Sequence, residues 1–287
     1  MDYPYDPSYQ ALFTPALDVQ FFPSGRSHTE AVLCAELSRL AYAPFERDLQ
    51  AKQLVEATLR RVGFDSCTFI SVAGTQGFVA QDSAAPLSIL AFRGTELDPR
   101  DWATAINLPL VPWHEGGRVH QGFANALLSS WTAVTSALSS SVGRLLYTGH
   151  SLGAALATLT ATRLPPVALY TYGSPRLGDA RFAQAAAHIA HYRYCDCCDL
   201  ICRIPPEPLG YRHCGPAAYL DRRGVLHTPP SPPSVRCDQW RARLQYLGQW
   251  AWRPGILWSR DAADHAPVNY LSALTRTPAP GPSYPSS

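Results

Sequence analysis

An excess of charge of either sign is what this 287-residue sequence lacks: 24 basic residues stand against 22 acidic ones, a formal balance of +2. So small a surplus cannot grip a phosphate backbone or an anionic bilayer over the whole molecule, and nucleic acid is excluded as the expected partner. Lysine is nearly missing, Lys52 being the only one; no function follows from that bias. There is no run of 18 uncharged apolar residues, because the most apolar region, 154–173, is interrupted by Arg163 and Pro165-Pro166. No transmembrane segment is therefore expected. The amino terminus, Met1 to Gln10, has two aspartates, two prolines and three tyrosines in place of the basic start and apolar stretch of a secretory leader, and a cytoplasmic location is expected. Paired C-x-x-C knuckles are missing as well. Five of the eight cysteines fall between Cys195 and Cys214 in a strand-like run, which predicts reduced thiols, with a disulfide or a metal site as the alternatives.

What the sequence does have is apolar residue in quantity, 46% with 11% aromatic, enough for a continuous core and incompatible with intrinsic disorder. The first 25 residues, rich in proline and tyrosine, show no periodicity and are expected to wrap over the surface. Helical spacing follows at 27–42 (Val32, Leu33, Leu37, Leu40, Ala41) and at 49–62 (Leu54, Val55, Leu59, Val62). Short strands are predicted at 67–72, 78–81 and 87–92, then a helix at 123–138. A strand at 145–148, a helix at 154–164, a strand at 167–172, a helix at 179–189 and a strand at 191–197 complete a repeated β-α-β order. That order predicts a mostly parallel sheet with helices on both faces, whose ligands bind beyond the carboxyl ends of the strands. No internal repeat occurs. Proline-rich stretches lie at 228–234 and 277–287, so the simplest division is one domain over 1–276 and a disordered Pro/Ser-rich tail over 277–287.

Gly149-His150-Ser151-Leu152-Gly153 fits G-x-S-x-G, with an apolar strand before it and a small-residue helix after it. A turn that sharp strains the serine backbone and pushes its hydroxyl out at the top of the sheet, while the flanking glycines leave room for the crossing chain. The following helix aims its positive end at the same spot, and the Leu152 N–H is placed to donate to an oxyanion. The alternative is an ordinary Gly/Ser turn. A serine at its usual pKa is a poor nucleophile, so Ser151 needs a histidine base and a carboxylate that orients it. With this elbow the order is serine, acid, histidine. Asp199, just past the strand at 191–197, is the favoured acid; Asp196, inside that strand, is its rival, and Asp179 is more simply a helix cap. Among the histidines only His213, His227 and His265 follow Asp199. His265 stands at the mouth of a helix whose first turn holds Pro267, a place from which a side chain reaches a crevice or merely caps the helix.

These segments, in order, resemble the class 3 lipase family, the α/β-hydrolase lipases typified by filamentous-fungal triacylglycerol lipases. The resemblance is carried by Ala91-Phe92-Arg93-Gly94-Thr95-Glu96, Asp101-Trp102, His120-Gln121-Gly122-Phe123, the elbow, Tyr172-Gly173-Ser174-Pro175-Arg176-Leu177-Gly178, Asp199-Leu200-Ile201-Cys202-Arg203-Ile204-Pro205-Pro206 and Asp264-His265, so it spans about 87–271. It implies an α/β-hydrolase fold, with Ser151 as nucleophile, Asp199 as acid, His265 as base in preference to His213, and Thr95 with the Leu152 N–H as oxyanion hole. His120, Gly122, Pro175 and Arg176 also belong to its motifs and are read as packing and turn residues. It places a lid between Thr95 and His120, where only the first part is polar enough for a flap. Trp102 and Trp113, among the apolar residues after it, either line an acyl groove or join the core.

The implied chemistry is acyl transfer without metal or organic cofactor, on lipid or small esters, with His265 losing its role as base in acid. Substrates range from triacylglycerol and monoacylglycerol to phospholipid at the sn-1 position and soluble esters. The rivals are a catalytically silent scaffold or lipid-binding protein, which predicts the loss of a catalytic group that is in fact retained, and a phospholipase A1 or acyltransferase using the same triad. Trp250, Trp252 and Trp258, clustered ahead of His265, are expected in the core or as an apolar rim touching a lipid interface.

Overall fold

Alternating apolar side chains build the sheet, and apolar residues at helical spacing build its cover. The computed structural model describes residues 4–15, 21–27, 29–95, 109–228 and 230–276; Trp102, the lid segment's first part and the 277–287 tail lie outside them. After the short helix α1 (Tyr9–Phe13), α2 (Glu30–Leu40) and α3 (Leu49–Arg61) lead into strands β1 (Ser66–Val72), β2 (Thr75–Asp82) and β3 (Leu87–Phe92). A separate ribbon of β4 (Leu110–Pro112) and β5 (Arg118–His120) precedes α4 (Gln121–Leu138). Strand and helix then alternate through β6 (Arg144–His150), α5 (Leu152–Arg163), β7 (Ala168–Tyr172), α6 (Ala180–Ala185) and β8 (His191–Asp196). Strands β9 (Ala217–Leu220) and β10 (Leu226–His227) and helices α7 (Pro232–Gln249), α8 (Arg260–Ala263) and α9 (Pro267–Leu274) follow.

Apart from β4 and β5, the strands form one sheet in the order β1-β2-β3-β6-β7-β8-β9-β10. Strands β3, β6, β7, β8 and β9 run parallel, while β1-β2-β3 and β9-β10 pair antiparallel at the two edges. This is the mostly parallel sheet that the β-α-β order predicts. Strand β3 shows how both faces are buried: Leu87, Ile89 and Ala91 enter the core shared with α2, α3 and α9, and Leu90 and Phe92 enter the core shared with α4 and α5.

Several local expectations shift for physical reasons. The proline-rich 228–234 stretch opens α7, because Pro232 and Pro233 occupy a first turn in which a missing N–H breaks no helical bond. The helix expected over 179–189 ends at Ala185 and continues as a tighter turn over Ala186–His188, and Asp179 caps it by accepting the Phe182 N–H at 2.9 Å. Residues 9–13 coil into α1, with Ser8 accepting the Ala11 N–H, where only surface chain was expected. Trp113 joins the core: it is buried, and its Nε1–H donates to Thr162 Oγ1 on α5 at 3.0 Å. Among the described residues no helix is long and apolar enough to cross a membrane.

Candidate active site

Strand β6 delivers Ser151 at its carboxyl end, and α5 starts at the next residue. Ser151 has φ 57° and ψ −124°, a left-handed conformation that a serine adopts only when its surroundings impose it. The imposition is visible. Its N–H donates to Tyr172 O at 3.0 Å, and the chain crosses itself so closely that a Cβ at Gly149 would lie 2.3 Å from the Gly153 carbonyl carbon. The elbow also presses on the end of β3, since a Cβ at Gly153 would approach Phe92 O to 2.4 Å. Gly94, Thr95 and Leu152 line one open cavity of about 380 Å³. Arg93 holds that strand's end: its guanidinium donates to the Ala41 carbonyl at 2.7 Å and forks onto Glu46 at 2.7 and 3.0 Å.

Asp199 and His265 meet across the fold. Asp199 stands in the turn after β8, fully buried, and accepts the Ile201 N–H at 2.8 Å on Oδ1 and the Tyr270 hydroxyl at 2.6 Å on Oδ2. His265, between α8 and α9, donates from Nδ1 to the same carboxylate at 2.9 Å. That bond holds the proton on Nδ1, the tautomer that a base acting through Nε2 requires. The histidine inside the elbow locks the two halves together. Burial, reinforced by the neighbouring His265, holds His150 well below the usual histidine range and hence neutral; its Nε2–H donates to the His265 carbonyl at 2.8 Å while Nδ1 accepts the Tyr42 hydroxyl at 2.7 Å. The two imidazole rings lie against each other at a 37° tilt, with centroids 4.4 Å apart.

The backbone of β7 threads between these parts. Tyr172 takes the Ser151 N–H, and the next residue, Gly173, has φ 59°; a Cβ there would sit 2.8 Å from both Asp199 Oδ2 and His265 Cε1. Behind His265, Asp264 forms a fully buried ion pair with Arg260 at 3.0 Å and accepts the Cys198 N–H at 2.9 Å and the Tyr5 hydroxyl at 2.7 Å. The rivals go elsewhere. His213 bonds the Cys202 carbonyl at 2.7 Å, and His227 lies 3.2 Å from Asp221. Asp196 is buried with neither carboxylate oxygen hydrogen-bonded among the described residues; burial, with Asp264 nearby, keeps its carboxyl well above the usual range and neutral.

All eight cysteines are free thiols. Cys197, Cys198 and Asp264 bring ligand-type atoms within 4.8 Å of one another. Asp264 is already committed to Arg260 there, and burial pushes the Cys197 thiol well up, so the thiolate and free carboxylate that a metal needs are both disfavoured. Tyr270, Tyr42, His150 and Gly173 are the site residues that sequence reasoning did not assign. Gly173 was part of a quoted motif, and His150 sat in the elbow itself; Tyr270 and Tyr42 carried no signal.

A left-handed serine elbow at the carboxyl edge of a parallel sheet, with an aspartate–histidine pair supplied by later loops, defines the α/β-hydrolase fold. Residues 89–209 match the family model described as Lipase (class 3). The chain is 35% identical over 172 residues to a secreted mono- and diacylglycerol lipase of Fusarium solani, covering 53% of this chain and 50% of the relative. To a secreted mono- and diacylglycerol lipase of Penicillium cyclopium it is 32% identical over 183 residues, covering 58% of each. The chain thus spans about half the length of the curated relatives it matches. Among solved structures, the fold is shared with a mono- and diacylglycerol lipase of Aspergillus oryzae (TM-score 0.53, 23% identity, 65% of this chain and 77% of that one). It is shared too with a triacylglycerol lipase described by its serine protease triad (TM-score 0.52, 21% identity, 66% and 77%). The cytoplasmic expectation is corrected by these relatives, which are named as secreted. It rested on the composition of ten residues alone.

Proposed function

We propose that this chain hydrolyses carboxylic esters of glycerol lipids through an acyl-enzyme on Ser151. What supports it is the coincidence, at one end of the sheet, of a serine in the elbow conformation and an imidazole whose Nδ1–H is committed to a buried aspartate. His265 takes the proton of Ser151 as Oγ attacks the ester carbonyl, and Asp199 stabilises the imidazolium that forms. The negative oxygen develops against Thr95 and the Leu152 N–H, at the positive end of α5. The imidazolium then protonates the departing alcohol. Water, deprotonated by the same imidazole, releases the acid and restores the serine. Relatives named as mono- and diacylglycerol lipases support glycerol esters as the substrate class, and their naming as secreted supports action outside the cell.

The test is hydrolysis of p-nitrophenyl esters from butyrate to palmitate, and of mono- and diacylglycerol, by purified protein beside Ser151→Ala. Turnover is expected to fall by roughly a thousandfold or more in the variant. Equal turnover by both proteins, or none by well-folded wild type on any ester, overturns the proposal.

A further inference from the structure

Helix α7 is built the wrong way round for a water-facing helix. Its inner face is Ala242 and Tyr246, its only buried residues. The opposite stripe, where charged side chains belong, carries Trp240, Leu244 and Leu247, spaced i, i+4, i+7, with Trp240 61% exposed. Arg236 precedes Trp240 by one turn on the same stripe, and Arg241 flanks it; both are exposed. The loop after α7 adds Trp252 and Trp258, 70% and 64% exposed, and the Arg253 guanidinium lies 5.3 Å over the Trp252 ring. A tryptophan and two leucines in one water-facing helical stripe, with Trp252 beside its end through Nε1–H to the Gly248 carbonyl at 3.3 Å, form an apolar area that a water-soluble surface seldom presents without a use for it.

The charges choose the occupant. Between residues 232 and 258 there are four arginines and one acid, Asp238; Arg243 is ion-paired with Asp261 at 2.8 Å, which leaves Arg236, Arg241 and Arg253, and Asp238 is turned inward, bonding the Tyr219 hydroxyl at 2.9 Å and the Arg222 N–H at 2.9 Å. The near-neutral total charge of the chain therefore hides a local basic patch. Tryptophan rings, with an apolar body and a polar N–H, together with leucine anchors and flanking arginines, suit the boundary between headgroups and acyl chains of an anionic lipid surface. Trp258 directly precedes Ser259, which caps α8, and α8 runs into Asp264 and His265.

We infer that the outer face of α7, with Trp252, is a docking surface for anionic lipid, separate from the serine site and serving it. The functional part rests on the proposed ester hydrolysis; the binding does not. The test is sedimentation of the full chain with vesicles of phosphatidylcholine alone or mixed with phosphatidylglycerol, read with tryptophan emission. Wild type is expected to bind the mixed vesicles at least tenfold more tightly, with a blue shift and weakening in salt. Trp240→Ser/Leu244→Ser/Leu247→Ser and Arg236→Gln/Arg241→Gln should each lose that binding at least tenfold while hydrolysing soluble p-nitrophenyl butyrate as wild type does. Absence of wild-type binding, or binding untouched by both variants, overturns the inference. So does concentration-dependent dimerisation abolished by the triple variant, which would make the face a contact between two copies. Loss of soluble-ester turnover in wild type would refute the hydrolase reading and leave the vesicle result to stand or fall alone.

Discussion

Tyr270 grips the acid from behind: its hydroxyl donates to Asp199 Oδ2 at 2.6 Å and accepts the Asp196 N–H at 2.9 Å. Tyr270→Phe strips a donor from a buried carboxylate and leaves a buried amide unpaired, a loss of about 1–3 kcal/mol. We expect a lower urea midpoint together with roughly a tenfold fall in kcat, since the carboxylate is freer to turn from His265. An undiminished kcat would show that the tyrosine only supports the fold. The two candidate acids separate in the same way. Asp199→Asn should cost on the order of a thousandfold or more in kcat by removing the group that sets the imidazole tautomer. Asp196→Asn replaces a neutral buried acid with a near-isostere and should leave kcat within a few fold. Reversal of that order, measured on one soluble ester, would move the role to Asp196.

At the scale of elements, the site is a meeting of three strand ends, β6, β7 and β8, with the loop between α8 and α9. Gly173 is where they touch. Gly173→Ala combines a left-handed backbone at φ 59° with a Cβ only 2.8 Å from Asp199 and His265. Neither neighbour has freedom to yield, because each is hydrogen-bonded and buried. A stability loss of about 1–3 kcal/mol is expected, with at least a tenfold fall in kcat by a protein that still folds. Gly248→Ala in α7 is the matched control. Among the described residues nothing lies within 4 Å of a Cβ there, and replacing a helical glycine should raise stability by about 0.5–1 kcal/mol. Equal behaviour of the two variants in thermal melts and ester kinetics would contradict the close approach.

At the scale of the whole molecule, three imidazoles among the described residues are held neutral. Burial, with His265 beside it, holds His150 well below the usual range; burial and the Arg193 charge bring His191 to about 3 and likewise hold His213 well below. Once unfolded, each takes a proton below about pH 6.5, so the unfolded chain binds more protons and stability falls as pH drops through that window. Each contributes up to about 1.4 kcal/mol per pH unit. Asp196 opposes them, since its raised folded value keeps a proton that the unfolded chain releases above about pH 4. His191 and His213 keep a partly exposed edge, which reduces their share. Unfolding should still take up about one to two protons between pH 6 and pH 4.5, and the urea midpoint should fall steadily across that range. A flat midpoint would mean that these histidines are not held neutral.

The sequence by itself determined what is decided within a turn or two of chain. The apolar run before Ser151 and the small residues after it specify strand, elbow and helix, Asp179 caps α6, and Pro267 starts α9. The order of those segments was enough for a mostly parallel sheet. Only the tertiary structure decided what depends on residues far apart in sequence. Asp199 and His265 are 66 positions apart, and Tyr42 and His150 108 apart, yet each pair is hydrogen-bonded. The antiparallel edges rest on strands as short as Leu226–His227, too brief for an alternation to register. The tryptophans make the same distinction: Trp113 is enclosed by α5 while Trp240 faces water. Hydropathy reports how much a side chain gains by burial, and the packing of whole elements decides which side chains receive it.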